Sequence, residues 1–497
     1  MHIKNHFPVI CFIIIMTAFN LSAQNPSIIW FQTYSGEGWA GAKWVEEAGR
    51  RDDRGAPGFI MVGSTQQFVM GYEDIYLIKT DADGFVEWER IYGGDGPDIG
   101  YCVKPTMDGG YIVCGATRDI DAYKSDAYML KTDAYGDTVW TKKYGGSRSA
   151  RFYEVCQLSD GGYIAVGYIA ESDGYHTDIY LVRTNTTGQL LWSREHGPAD
   201  SIDRAVSIQP SNDGGFVFCG WMESPGGVDC DVQLTKVNAG GDIEWTRHYG
   251  GDRYDKGFSV ARASDGGYVI AGYKTVSDRN CHCEFYLIKI SDEGFVEWER
   301  TYGGARSDRA LSVRQTVDGG YIMTGHSTSF GQEGNDIYVV KTDDSGNLEW
   351  HDIFGGHDDD IGECIRQVFD GNYVVTGHTE DFGGAYHDAF LMKIRPGQVG
   401  IEEELSEVAP QTFITQQNYP NPFNSTTKIR YNLHEPSDVT IIIYDLLGRE
   451  VETLSRGYRP AGRHQVVWNP GDLKSGNYFY KIETDRSSET TKMILLR

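Results

Sequence analysis

The sequence predicts an all-β chain: a seven-bladed β-propeller closed by its N-terminal strand, followed by a small C-terminal β-sandwich. Three observations predict it. A unit of 52 or 53 residues recurs, aligned on Phe59, Tyr111, Tyr163, Phe216, Tyr268, Tyr321 and Tyr373. A fixed period of this size marks a stacked or radial array rather than independent domains. The composition, 61 Gly, 31 Tyr and 11 Trp against 15 Pro, suits tight turns and aromatic-rich strands. Finally, the seventh unit stops after Lys393 without a tryptophan strand of its own. The missing phrase stands at the front, where Trp30-Phe31-Gln32-Thr33-Tyr34-Ser35-Gly36 matches Trp88-Glu89-Arg90-Ile91-Tyr92-Gly93-Gly94. A solenoid has no use for that complementarity; a ring without open sheet edges does.

Taken in order, residues 1–23 combine a short basic start (His2, Lys4), an apolar stretch at 7–18 and the small pair Ser22-Ala23. This is the pattern of a secretory signal peptide, and the stretch is too short to span a bilayer. The propeller is expected at 24–394, a flexible acidic linker containing Glu402-Glu403-Glu404 at 395–417, and the sandwich at 418–497. Each repeat reads as four short strands. The first carries an apolar residue such as Val103, Val155 or Ile208, and an Asp-Gly-Gly turn follows, as at Asp108-Gly109-Gly110. Glycine there supplies the positive φ of a tight hairpin. The third strand has the form DIYLIKT, and the fourth carries Trp88, Trp140, Trp192, Trp245, Trp298 or Trp350. Four such strands per repeat describe a propeller blade.

Two charged columns recur in every copy: Asp74, Asp126, Asp178, Asp231, Glu284, Asp336 and Asp388, and, five residues on, Lys79, Lys131, Arg183, Lys236, Lys289, Lys341 and Lys393. One active site needs no seven copies, so both columns and the tryptophans are assigned to the fold. Candidate function lies where the copies differ. Just after the glycine that ends the second strand they carry Ser64, Ala116, Tyr168, Trp221, Tyr273, His326 and His378. Tyr168, Trp221, Tyr273, His326 and His378 can stack on sugar faces or an exposed peptide, and are the candidate ligand-binding residues. The competing reading is that they pack against the loops.

Signals for metal and catalysis are weak. Cys281-His282-Cys283 lacks a second cluster for zinc, and His357-Asp358-Asp359-Asp360 lacks the spacing of a calcium loop. No nucleophile elbow, zinc-protease helix, Walker loop or dinucleotide fingerprint stands in a suitable context, so no catalytic or metal residue is assigned. No cofactor is expected, with Ca²⁺ the one ion left open by the many carboxylates. The formal charge of −26 disfavours nucleic acid and anionic membranes as partners. Cys102 with Cys114, and Cys219 with Cys230, are the candidate disulfides of an exported chain.

From Asn418 a different pattern begins: NYPNPFN, then YDLLGREV at 444–451, AGRHQVVWN at 461–469, LKSGNYFYKI at 473–482 and TKMILLR at 491–497. This ordered series resembles the C-terminal sorting domain of type IX secretion cargo. The resemblance implies a bacterium of the Bacteroidetes type and Sec export, followed by outer-membrane passage through the type IX machinery. It also implies removal of the tail, with surface attachment or release. The repeat region resembles uncharacterised propeller proteins joined to such tails, which implies no activity. The expected protein is a secreted or cell-surface, monomeric, non-catalytic binding or adhesion propeller for a glycan or extracellular protein. The alternatives are a polysaccharide lyase or glycosidase, whose site would be sought among His326, His378, His357 and Asp360, and a structural surface-layer component.

Overall fold

The computed structural model describes residues 28–34, 38–49, 57–66, 72–170, 175–198, 200–223, 230–277, 282–382, 387–396, 413–419, 425–433, 436–445, 449–460, 462–471, 473–474, 476–484 and 488–495. The expected signal peptide, most of the linker, the turn at 420–424, Cys281 and Arg497 lie outside the described residues. The described strands fall into two compact units, one ending at Ile394 and one beginning at Phe413. All regular structure among the described residues is β, so no helix is long and apolar enough to cross a membrane.

In the first unit each repeat folds into a small antiparallel sheet of four strands in sequence order. The first repeat, for example, pairs Ala40–Ala48, Gly58–Thr65, Asp74–Thr80 and Val86–Tyr92. The sheets of the third and fourth repeats are joined by a single parallel pairing, Thr177 with Ile202. The last repeat supplies three strands, and Ile28–Tyr34 adds antiparallel to Asp388–Ile394 as the fourth. Burial falls from the second and third strands toward the fourth. Gly58–Thr65 is buried at every position, whereas Val86–Tyr92 is mostly half-exposed. Strands covered on both faces need continuous apolar runs rather than alternation, which is why DIYLIKT reads as it does.

Three sets of contacts join neighbouring sheets. Each fourth-strand tryptophan packs on the aromatic that aligns the next repeat: Trp30 on Phe59 at 6.0 Å between ring centroids, Trp88 on Tyr111 at 5.9 Å, Trp350 on Tyr373 at 6.0 Å. The tyrosine ending that strand donates to a turn carbonyl of the next sheet, as Tyr34 to Gly84 (2.7 Å), Tyr144 to Gly188 (2.7 Å) and Tyr249 to Gly294 (2.9 Å). In the first strands, a small polar side chain bonds the backbone one sheet on. Ser207 Oγ accepts from Val260 N (3.1 Å), Ser259 Oγ from Val313 N (3.2 Å) and Ser312 Oγ from Ile365 N (3.3 Å), while the Cys364 thiol lies 3.9 Å from the Val45 carbonyl.

The base column is structural. Lys131, Lys236, Lys289, Lys341 and Lys393 are buried and reach back to the aspartate of their own repeat's first turn (Asp-Gly-Gly, or Asp370-Gly371-Asn372 in the last), at 2.9, 2.7, 2.8, 3.0 and 2.6 Å. Lys79 pairs with Glu87 instead, at 2.9 Å.

The expected disulfides are corrected: no disulfide joins Cys102 to Cys114 or Cys219 to Cys230. Cys219 lies opposite Leu234 and Cys230 opposite Glu223, four register positions apart. At about 3.3 Å per residue that separation exceeds the reach of a disulfide. Cys102 and Cys114 do face each other in register, but the Cys102 thiol is directed at the Val155 carbonyl of the next sheet, 4.0 Å away.

In the second unit Phe413–Tyr419, Thr427–Leu433 and Gly462–Trp468 make one sheet, and Glu450–Arg459, Ser437–Asp445, Gly476–Glu483 and Ser488–Leu495 another. Alternate residues of both, including Ile429, Tyr431, Val439, Ile441, Trp468, Tyr480 and Ile482, share one core.

Candidate binding site

A β-bulge interrupts every first strand at the same place, between Ala42 and Trp44, Gly100 and Cys102, Phe152 and Glu154, Ala205 and Ser207, Gly257 and Ser259, Ala310 and Ser312, and Gly362 and Cys364. The extra residue is unpaired and its side chain is re-aimed. Those residues are Lys43, Tyr101, Tyr153, Val206, Phe258, Leu311 and Glu363, and no two neighbouring repeats outside the Tyr101 and Tyr153 pair share a side chain. The invariant glycine of the second strand lies beside the bulge. A Cβ on Gly167, Gly220 or Gly272 would sit 1.8 Å from the carbonyl oxygen of Arg151, Arg204 or Lys256, so no other residue fits.

The predicted variable column follows that glycine and pairs with a second variable column on the first strand. Tyr168 faces Arg151, Trp221 faces Arg204, Tyr273 faces Lys256, His326 faces Arg309 and His378 faces Ile361. With the bulge residues these form an interleaved crescent. Tyr101 and Tyr153 meet at 5.0 Å, Tyr153 and Tyr168 at 6.1 Å, Trp221 and Phe258 at 5.6 Å, Phe258 and Tyr273 at 5.9 Å. Cations lie over the rings: Arg151 over Tyr101 (5.3 Å), Arg204 over Tyr168 (4.6 Å), Lys256 over Trp221 (4.7 Å) and Arg309 over Tyr273 (5.0 Å). Arg151 also donates to the Tyr101 hydroxyl at 2.6 Å. Trp221 and Tyr273 are themselves buried, with Lys256 and Arg309 packed on their rings.

The histidines sit apart from the aromatics, around Glu363, whose charge acts on both. Burial first, then Arg309, lowers the pKa of His326 to about 4; burial, with Lys43 and His387 beside it, does the same for His378. Both rings are neutral at physiological pH. Glu363 is ion-paired to Lys43 and lies 3.9 Å from His378 Nδ1. His357 is exposed in the turn before Asp360–Gln367, and Asp360 is fully buried at that strand's start, so the four residues of the hydrolytic alternative are not one constellation.

A second set of charges gathers around Trp44 and Glu46. Trp44 stands where other repeats have Cys102, Glu154, Ser207, Ser259, Ser312 or Cys364, and draws Lys104 (4.4 Å), Arg366 (4.7 Å) and Arg314 (5.5 Å) over its ring. Glu46 binds Lys104 at 2.8 Å and Arg366 at 3.1 Å; burial pushes its carboxyl up, but the two cations hold it well below the usual range. These residues come from the first, second, sixth and seventh repeats. No group of three or more potential metal ligands occurs among the described residues.

Sequence reasoning found the aromatic column and missed the bulge residues and the cations. The signal was present: aligned on Val45, Val103, Val155, Ile208, Val260, Val313 and Ile365, both positions vary from copy to copy.

Residues 417–496 match a family described as a secretion system C-terminal sorting domain. The tail is a type IX sorting domain, handled by that secretion machinery, and the chain is exported to a secreted or cell-surface location. A search of curated proteins gave no match. Among solved structures the chain is similar to Sqt1 from Chaetomium thermophilum (14% identity, 71% of this chain and 83% of that one, TM-score 0.42). It is also similar to PorZ, a surface component of the type IX secretion system of Porphyromonas gingivalis (10%, 88% and 69%, 0.34). A third is the β-propeller domain of the Trilobed protease from Pyrococcus furiosus (10%, 75% and 100%, 0.41).

Proposed function

We propose that residues 24–394 form a seven-bladed propeller closed by the N-terminal strand, joined by the linker at 395–417 to the sorting domain at 418–497. Its role is that of a non-catalytic binding or adhesion module for a glycan or an extracellular protein. Closure is supported by the pairing of Ile28–Tyr34 with the last sheet, by Tyr34 bonding Gly84 of the first sheet, and by the convergence of four repeats on Trp44.

The observation that carries the binding role is the crescent built from Tyr101, Tyr153, Tyr168, Trp221, Phe258 and Tyr273. Side chains that vary between copies of an otherwise rigid repeat are placed side by side by the bulges, at one end of the first strands. Rigid aromatics bring contact area at low entropic cost. The ring that carries them fixes their spacing before any ligand arrives.

The enzyme reading draws on His326, His378 and Glu363, a neutral imidazole pair beside a carboxylate. A lyase or glycosidase there would lose turnover on replacing both histidines by Ala. The deciding experiment is a screen of the full chain on arrayed glycans, with and without Ca²⁺, with product analysis of each hit. Binding without cleavage, weakened by Trp221→Ala and Tyr273→Ala, is the expected result. Cleaved product would overturn the non-catalytic reading.

A further inference from the structure

We infer that the crescent is an anion site, and that the ligand is an acidic glycan whose carboxylate or sulfate groups are held by Arg151, Arg204 and Arg309 while its sugar rings lie against the aromatics. This rests on the binding reading above and names its ligand class.

The chain has 71 acidic and 45 basic side chains. In such a chain a guanidinium is expected to find a carboxylate. Among the described residues Arg151, Arg204 and Arg309 form no ion pair, although all three are at least half-buried and their Nε atoms are buried without an acceptor. Lys256, between them in chain order, has Glu223 only at 3.7 Å. The arginines' neighbours are aromatic rings and, for Arg151, the side-chain hydroxyls of Tyr101 and Tyr153. A partly desolvated cation without a counter-charge is costly, and a bound anion removes that cost through charge-assisted hydrogen bonds. The contrast lies deeper in the same strands. There Lys104 and Arg366 also stack on a ring, but each has its carboxylate. Arg314, the third cation over that ring, bonds the Ser259 hydroxyl at 3.2 Å and the Val313 carbonyl at 2.6 Å instead.

Alternation of cation and ring suits an acidic sugar. Its C–H face packs on an aromatic, and its acid group projects from the ring edge, within reach of a planar, bidentate donor. The chain's overall negative charge opposes an anionic ligand at long range. At physiological ionic strength that field is screened beyond about 8 Å, whereas contacts inside the crescent are not.

The test uses the full chain and titrates its tryptophan fluorescence with four oligosaccharide probes: an oligogalacturonide and its methyl ester, and a sulfated and an unsulfated glucan oligomer. Oligoglutamate serves as a fifth. The expected result is binding of the carboxylated or the sulfated probe, whichever acid group the site takes. Loss of the charge, and Arg204→Gln or Arg309→Gln, should each weaken binding about tenfold or more. Arg204→Lys should retain part of it with an unchanged melting curve, separating lost charge from lost fold. Equal affinity for charged and neutral probes would overturn the anion inference and leave glycan binding standing. Binding of oligoglutamate alone would overturn the sugar. Binding of no probe, when the glycan array also gives none, would remove the glycan reading itself; array hits confined to neutral sugars would remove only the anion.

Discussion

Asp360 opens the first strand of the seventh repeat with its side chain fully buried. One carboxylate oxygen accepts the Gly356 amide at 3.0 Å. Burial raises its pKa from 3.8 to about 7, helped by Asp381 and Asp336, while hydrogen bonds from Thr379 and Gly356 pull the other way. The folded chain therefore keeps a proton that the unfolded chain gives up. The resulting stability is full below the unfolded value near 3.8 and is lost as pH rises through about 7. At about 1.36 kcal/mol per pH unit, the loss reaches about 4 kcal/mol by pH 8. Asp360→Asn retains an oxygen for Gly356 and cannot ionise. Parent and variant should melt together at pH 4. At pH 8 the variant should melt about 5 °C higher, taking ~2.1 cal/mol/K per residue over roughly 370 residues. Calorimetry at the two pH values decides it. A melting difference that is the same at both would refute the reasoning, because charge would then play no part.

Gly220→Ala would put a methyl group 1.8 Å from the Arg204 carbonyl oxygen, forcing the bulge open. Soluble yield should collapse, or urea unfolding should show a loss of more than about 3 kcal/mol, a size reserved for strain at a special backbone position. Asp108→Ala leaves Lys131 buried with the Thr132 carbonyl but without its carboxylate. Because Asp108 itself is exposed and water replaces part of the pair, the loss in urea should be about 2 kcal/mol, below the figure for a fully buried pair. Cys102 and Cys114 are completely buried, and burial pushes the Cys114 thiol well above its ordinary value. A thiol reagent should label them only after unfolding, and rapid labelling of the native chain would show that this pair is accessible.

What the sequence made legible was whatever repeats. The Asp-Gly-Gly turns, the tryptophan strand and the matching phrase at the two ends of the array are each constrained by a contact made in nearly every sheet, so comparing copies exposes them. Trp30 on Phe59 repeats what Trp88 does on Tyr111, which is why the front of the chain could be assigned to the last sheet. The bulge was not legible. One extra residue in a first strand shifts the alternation of inward and outward side chains, and an apolar pattern such as Tyr101-Cys102-Val103 gives no sign of where the shift falls. Without it, Tyr153 and Phe258 could not be joined to Tyr168 and Tyr273 on one surface. The cysteines failed for a related reason. Cys219 and Cys230 flank one loop in sequence, but the hairpin pairs Cys230 with Glu223, and the loop's length hides the offset.

Hydrogen exchange of the full chain, with and without a glycan identified on the array, tests the binding surface most directly. Exchange should slow in the bulge segments around Arg151, Tyr153, Arg204, Phe258 and Arg309, with the outer strands at Val86–Tyr92 and Val296–Tyr302 unchanged. Protection confined to those outer strands, or to the sorting domain, would contradict it.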